Sequence, residues 1–363
     1  TQKEEEQKTI QRAVQALTRD LENLSGEKAL ELIEAKLKTI RLALPVKAPA
    51  IIPLGIRDTL ELIKKQPEGL GTGFSILDQS VKIKQAAVTV VAGMTGHGKT
   101  TFMLNVFVNM LLNTKTAEKT FLFLTYEEPR EKLIEKLIKV ITFAKNRNAG
   151  LEQRDANLLY QIRTDRLSNP IEETIRYIEE QEARHRIGII DLSNESATAL
   201  GLYIREWTRS DRIGAIFLDY VQKIPIENGS RNDTRQMELQ RTSHSLLTAA
   251  KDTGIPLIIG AQLNRELGKK GRDVEDMDVS YIREAGDIGQ DANLVLGVWN
   301  HAGDPIPEKI DGKKLLDKER DDYECANQKR ITVIPIKNRE GPVHKKHFFE
   351  ADWDWLGLRE SGQ

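Results

Sequence analysis

The chain has 363 residues, and its 54 Lys+Arg against 55 Asp+Glu leave a formal net charge of −1, so no global excess of cation points to nucleic acid. A single cysteine, Cys325, excludes an internal disulfide framework and fits a reducing compartment. No apolar run approaches the ~18 residues of a membrane span, and the polar, acidic start TQKEEE is no secretory signal, so a cytoplasmic protein without a membrane partner is expected.

The first residue is Thr rather than Met, which reads as a processed form or a fragment. Residues 1–44 predict helix: Ile10, Val14, Leu17, Leu21 and Leu24 form one apolar stripe, Ser25-Gly26 interrupts it, and Leu30, Ile33, Leu37 and Ile40 continue it. A hairpin this small has no core of its own and must pack on something else. Three prolines in PVKAPAIIP (45–53) mark a linker, and 57–66 predict a short amphipathic helix that ends at Pro67-Glu68-Gly69. The expected organisation is a helical N-terminal segment over 1–50, a linker with a helix over 51–68, and one domain over 69–363.

From Gly69 the pattern becomes β/α alternation. Strands are expected at 87–92, 121–125, 187–191, 214–219, 255–261, 293–299 and 331–336, with helices between the first five. Near-continuous apolar strands separated by helices predict an α/β fold with a buried, mostly parallel sheet. After residue 293 the helices are expected to give out and the chain to finish as an antiparallel edge.

Gly93-Met94-Thr95-Gly96-His97-Gly98-Lys99-Thr100 matches G-x-x-x-x-G-K-[ST], after the strand AVTVVA and at the start of the helix TFMLNVFVNMLL. Strand, glycine loop and helix together make a phosphate cradle, in which backbone N–H groups and the helix dipole face the anion. Gly93, Thr95, Gly96, His97, Gly98, Lys99, Thr100 and Thr101 are the expected ATP contacts, His97 as a loop position without chemistry of its own. Lys99 would reach the β- and γ-phosphates and Thr100 would hold Mg²⁺. Asp219, closing the apolar strand GAIFLD, is the expected Mg²⁺-side carboxylate. FLFLTYEEPR offers Glu127 or Glu128 as the carboxylate that orients the attacking water, Glu127 preferred, from a strand expected to neighbour the P-loop strand. Gln262, ending IPLIIGAQ, is placed to sense the γ-phosphate, though a strand-end amide with no role stays open.

Two loops have the composition of a nucleic-acid contact. Residues 223–241 carry Lys223, Arg231, Arg235 and Arg241 around Asn228-Gly229-Ser230, and 264–291 carry Arg265, Lys269, Lys270, Arg272 and Arg283 among glycines. Interleaved acids leave ordinary solvated loops as the alternative. Late in the chain, IKNREG puts Lys337 and Arg339 at a strand end, where ring ATPases place a trans finger.

In this order the segments resemble the ATPase motor of the DnaB-type replicative hexameric helicases, built on a RecA-like fold, from about Gly69 to about Phe349. GLGTGFSILD is similar to the family's opening G-x-x-T-G-[FY]-x-x-L-D, and FLFLTYEEP to its S-L-E-M-P, which aligns Glu127 with the catalytic glutamate. AIFLDYVQKI is similar to I-D-Y-L-Q and IPLIIGAQLNRE to V-x-x-L-S-Q-L-N-R, which single out Asp219 and Gln262. YIREAGDIGQDA (281–292) resembles L-R-E-S-G-x-I-E-Q-D-A-D, which implies Arg283, Glu284 and Gly286 as pore contacts to single-stranded DNA. IPIKNREGP is similar to A-K-Q-R-N-G-P, which implies Lys337 and Arg339 as catalytic residues acting on a neighbouring subunit.

The resemblance thus implies an ATP- and Mg²⁺-dependent DNA helicase of DNA replication. It would be a homo-hexamer translocating 5′ to 3′ on single-stranded DNA, with a primase or helicase loader as partner and 57–66 as the linker helix. The sequence departs from the family in its first 50 residues, where no collar domain is recognisable. A longer charged segment at 130–186, a polar insertion at 301–329, and Gly289 in place of a glutamate depart as well. Two other readings stay open: a recombinase- or clock-type RecA-fold ATPase, and a mobile-element or phage ATPase that acts in assembly without unwinding.

Overall fold

The computed structural model describes residues 56–65, 69–147, 151, 156–210, 212–225, 235–264, 267, 276–282, 286–304, 309–310, 313–314 and 317–361, with isolated helical positions at 11, 15, 18, 32 and 33. The chain separates into two units, one to Gln66 and one from Pro67. In the first, α1 (Ile56–Lys65) is the short helix expected there, with Ile56 and Leu60 exposed. The expected stripes before it lie almost wholly outside the described residues.

The second unit is a nine-stranded sheet with helices on both faces. Its strands are β1 (Val88–Gly93), β2 (Thr120–Thr125), β3 (Ile187–Asp191), β4 (Ile213–Asp219), β5 (Leu257–Gln262), β6 (Leu294–Asn300), β7 (Arg330–Asn338), β8 (His347–Asp352) and β9 (Gly357–Glu360). Their order across the sheet is β9-β8-β7-β6-β1-β5-β4-β2-β3. From β6 to β3 every pairing is parallel, and β7, β8 and β9 add an antiparallel edge.

Side chains alternate between the two faces, as the two-residue period of a strand requires. Val88, Val90 and Ala92 of β1, with Ile216 and Leu218 of β4, enter the core beneath α6 (Ala197–Ser210) and α7 (Arg235–Thr253). Val91, Ala215, Phe217 and Ile258 point the other way, beneath α2 (Lys99–Leu112) and α3 (Arg130–Lys145). Helix α2 is apolar on almost every side, the pattern of a helix covered all round. Its Phe107 meets Phe217 edge-on at 5.3 Å, and Phe123 and Phe217 stack at 5.9 Å, so aromatic packing fixes the helix beneath the P-loop.

Two expectations need correction. The strand carrying Glu127 does not neighbour the P-loop strand, because β5 and β4 stand between β1 and β2. After β1 the chain crosses over α2 and leaves two places that later strands fill, so neighbours in sequence are not neighbours in the sheet. Helices also do not give out after residue 293: α9 (Asp317–Lys329, DKERDDYECANQK) occupies the polar insertion. It lacks an apolar stripe, so periodicity missed it, yet its Lys, Glu, Arg, Ala and Gln are good helix formers. Helices α4 (Leu158–Arg163), α5 (Asn169–Ala183) and α8 (Gly286–Asp291) complete the unit.

The opening segment GLGTGFSILD is tied down by carboxylates. Asp78 Oδ1 accepts from the Thr72 N–H at 2.6 Å, and Glu360 of β9 accepts from the N–H groups of Ile76 and Leu77 at 2.8 and 2.9 Å. The first and last segments of this unit thereby close against each other.

Candidate active site

The strand ends at β1, β4 and β5 converge on one cleft of about 330 Å³. It is lined by the P-loop, Glu127, Glu128, Lys136, Tyr220, Gln262 and Trp353. The loop turns through Gly96 (φ 81°) and Gly98 (φ 82°), a left-handed backbone that side chains disfavour. Gly98 caps α2, whose first-turn N–H groups have no intrahelical acceptors and face the cleft side.

Asp219 is the buried anion at the base of the site, 3% exposed. Its Oδ1 lies 3.0 Å from Lys99 Nζ, and its Oδ2 accepts from the Thr100 hydroxyl. The Lys99 ammonium also sits 4.0 Å over the Tyr220 ring, a cation–π contact. Among the described residues Oδ1 accepts no aligned hydrogen bond beyond this ion pair, so it keeps acceptor capacity beside a second hard donor, Thr100 Oγ1. Two oxygens of this kind, with room for water, suit a small divalent cation such as Mg²⁺, which keeps most of its hydration.

The two glutamates after β2 are treated differently. Thr125 Oγ1 accepts from both their N–H groups, at 3.3 Å for Glu127 and 3.0 Å for Glu128, and sets the turn. Lys136 of α3 then holds both carboxylate oxygens of Glu128, with Oε2 at 2.7 Å. Glu127 is exposed at the cleft and has no ion-pair partner among the described residues. The geometry favours Glu127 as the free carboxylate, the choice that the alignment implied.

Gln262 donates to Thr95 Oγ1 at 2.6 Å, and its backbone is clasped by Gln222, N–H to Oε1 at 3.2 Å and Nε2 to C=O at 3.2 Å. The end of β5 is thus wired directly to the P-loop. Lys337 and Arg339 are not in this cleft. Lys337 Nζ donates to the carbonyls of Gly289, at 3.0 Å, and Gln290, and Arg339 donates to Gln290 O at 3.1 Å. Both cations cap the C-terminal end of α8, the helix that Gly286 begins. Burial, then the charge of Arg339, lowers the pKa of Lys337, with Asp291 opposing. Arg231, Arg283 and Glu284 lie outside the described residues.

Sequence reasoning missed Gly260, Tyr220, Lys136 and Trp353. A Cβ at Gly260 would stand 2.8 Å from Asp219 Oδ1 and 3.3 Å from Lys99 Cε, so glycine makes the space in which this pair meets. Tyr220 directly follows Asp219 within the aligned segment AIFLDYVQKI and could have been found there. Lys136 and Trp353 carry no local signal; Trp353 comes from the turn between β8 and β9, 253 residues beyond Thr100.

Comparison with known proteins bears on this geometry. Residues 69–352 match the family described as DnaB-like helicase C terminal domain. The chain is 26% identical to the replicative DNA helicase DnaB of Mycoplasma pneumoniae, over 84% of this chain and 61% of that protein. It is 28% identical to the replicative DNA helicase DnaC of Bacillus subtilis, over 76% of this chain and 53% of that one. It therefore spans between half and two thirds of these curated relatives. Two solved structures share the fold. The DnaB-like replicative helicase studied with primase has a TM-score of 0.64 and 19% identity over 98% of this chain and 75% of that chain. A second, solved as an isolated ATPase domain, has a TM-score of 0.61 and 20% identity over 85% of this chain and 96% of that chain. With the family match running from the opening loop through the P-loop to the end of β8, this chain belongs to the DnaB-like helicase C-terminal domain family.

Proposed function

We propose that the chain is an ATP- and Mg²⁺-dependent motor that translocates on single-stranded DNA and unwinds duplex, in the cytoplasm, as a homo-hexamer with ATP at the subunit interfaces. The observation that carries this reading is the division of labour at the cleft. Lys99 and Thr100 share one buried carboxylate, Asp219, while Glu127, among the described residues, has no ion-pair partner at the mouth and Glu128 is neutralised by Lys136. A protein that only binds nucleotide has no need of a free carboxylate beside the phosphates.

In this mechanism Lys99 leaves its pairing with Asp219 and turns to the β- and γ-phosphates. Thr100 and Asp219 would hold Mg²⁺, which would neutralise phosphate charge. Glu127 orients the attacking water and takes its proton. Gln262, already bonded to Thr95, registers the γ-phosphate and passes its presence along β5. Lys337 and Arg339, on the far side of the sheet from Glu127, act on the neighbour's nucleotide. Arg231, Arg283, Glu284 and Gly286 contact single-stranded DNA, and a primase or helicase loader is the expected partner.

ATP hydrolysis is measured with and without single-stranded DNA, and strand displacement alongside, for the intact chain and Arg339→Ala at matched concentration. DNA-stimulated turnover that falls by roughly 10³-fold in Arg339→Ala, with ATP binding kept, supports shared sites in a ring motor. Turnover indifferent to both DNA and Arg339→Ala sinks the motor reading and leaves an ATPase complete within one chain.

A further inference from the structure

The variable position before Gly98-Lys99-Thr100 holds a histidine, and the structure gives that histidine a fixed seat. Gly96 and Gly98 on either side adopt φ of 81° and 82°, and neither has a side chain to pack. The His97 ring meets Trp299 of β6 edge-to-face at 4.9 Å. Its Nδ1 accepts the backbone N–H of Asn300 at 3.2 Å.

The seat itself is rigid. Trp299 is buried, and its Nε1 donates to both oxygens of Asp304, at 3.0 and 3.1 Å. Asp304 Oδ2 pairs with His301 Nδ1 at 2.6 Å, and His301 Nε2 meets Thr332 Oγ1 at 2.7 Å, where Thr332 is fully buried in β7. A chain of side chains thus runs from the P-loop across the end of β6 into the antiparallel edge. Networks of this kind, with each member bonded, immobilise what they touch.

We propose that His97 is a positioning residue: through Nδ1 and its ring it pins the P-loop to the end of β6 in the shape that accepts nucleotide. The inference rests on the nucleotide reading above and adds to it a loop anchor made by the side chain. An accepting Nδ1 fixes the neutral tautomer, with the proton on Nε2. A second proton would set an N–H donor against the Asn300 N–H and break the anchor. Asp304 and His301, from the 301–304 turn, are the titratable groups that face His97, the first favouring its protonation and the second opposing it. Burial, with His301, outweighs Asp304 and lowers the His97 pKa, so the anchored form prevails at neutral pH.

His97→Asn puts an amide oxygen at the position of Nδ1 without a titrating group, and His97→Ala removes the acceptor. ATP affinity is measured by calorimetry from pH 5.5 to 8, and hydrogen exchange of residues 94–100 is followed in the nucleotide-free chain. His97→Ala should weaken ATP by roughly five- to tenfold, the loss of one hydrogen bond, and speed exchange of the loop. His97→Asn should recover most of both and lose the extra fall in affinity expected of the wild type toward the acid end of this range. Equal affinity and exchange in all three proteins overturns the proposal. So does a His97→Asn variant as weak as His97→Ala, because ring packing alone would then explain the effect. A wild-type chain that binds no ATP removes the nucleotide reading, and exchange then decides the anchor by itself.

Discussion

Lys99 and Lys337 are both drawn out of bulk water, and the chain treats their charges in opposite ways. Lys99, its side chain 11% exposed, has a full counter-charge in Asp219 at 3.0 Å and a ring face at 4.0 Å. Lys337, among the described residues, hydrogen-bonds only to neutral carbonyls, those of Gly289 and Gln290, shares the second with Arg339, and has Asp291 as an anion acting on it without an ion pair. The C-terminus of a six-residue helix supplies a fraction of a negative charge to two full cations. Among the described residues one end of the sheet therefore pairs its lysine with a carboxylate, and the other leaves two cations without an ion pair. In the proposed ring, the neighbour's γ-phosphate supplies their counter-charge.

The sharpest way to break this contrast is to remove the balanced lysine. Lys99→Ala takes away the phosphate contact and leaves Asp219 buried without its cation, so ATP binding and hydrolysis should both be lost, by about 10³-fold or more. Calorimetry decides it, and retained affinity would mean that the cleft is not the nucleotide site. Next in size is the comparison of the two glutamates. Glu127→Gln should lower the turnover number by roughly 10²- to 10⁴-fold with ATP affinity little changed, whereas Glu128→Gln, already tied to Lys136, should cost less than about tenfold. Steady-state kinetics of the two variants would exchange their roles if the larger loss fell on Glu128.

The parallel half of the molecule was legible because its physics is local. β-branched runs such as VTVVAG predict strands, glycines before Lys99 predict a phosphate loop, and the alternation of the two predicts the sheet. The antiparallel edge was less legible. β8 and β9 alternate weakly, and α9 has helix-forming composition without an apolar stripe. The active site divides in the same way. Lys99, Thr100 and Asp219 belong to segments with their own signatures. Gly260 and Trp353 owe their place to the sheet order, which sequence neighbours do not reveal. The resemblance already preferred Glu127 to Glu128, but the physical difference between them, the pairing of Glu128 with Lys136 nearly two turns into α3, has no local signal.

Gly260 offers a more modest test of the balanced end. A methyl group there would stand 2.8 Å from Asp219 Oδ1, 3.2 Å from Met103 Sδ and 3.3 Å from Lys99 Cε. All three atoms are held by packing or by the ion pair, so none yields cheaply. Gly260→Ala should cost about 1–3 kcal/mol in thermal unfolding and weaken ATP by prising Lys99 from Asp219. An unchanged melting temperature together with unchanged affinity would show that the pair has slack.

The smallest effect belongs to the other end, and its sign is fixed by the burial of that charge. Burial and Arg339 hold the pKa of Lys337 below its ordinary value in the folded chain, while the unfolded chain titrates near the usual lysine value of about 10.4. Below the folded pKa both states are protonated and the penalty for burying the charge is constant. Between the two values the unfolded state binds more protons, so stability is regained as pH rises. Lys337→Met cannot titrate. Urea unfolding of the two proteins at pH 8 and pH 10 should therefore show the wild type gaining relative to the variant at the higher pH. A difference that stayed flat or fell would mean that the α8 carbonyls compensate the charge after all, and that Lys337 has no need of an anion from outside.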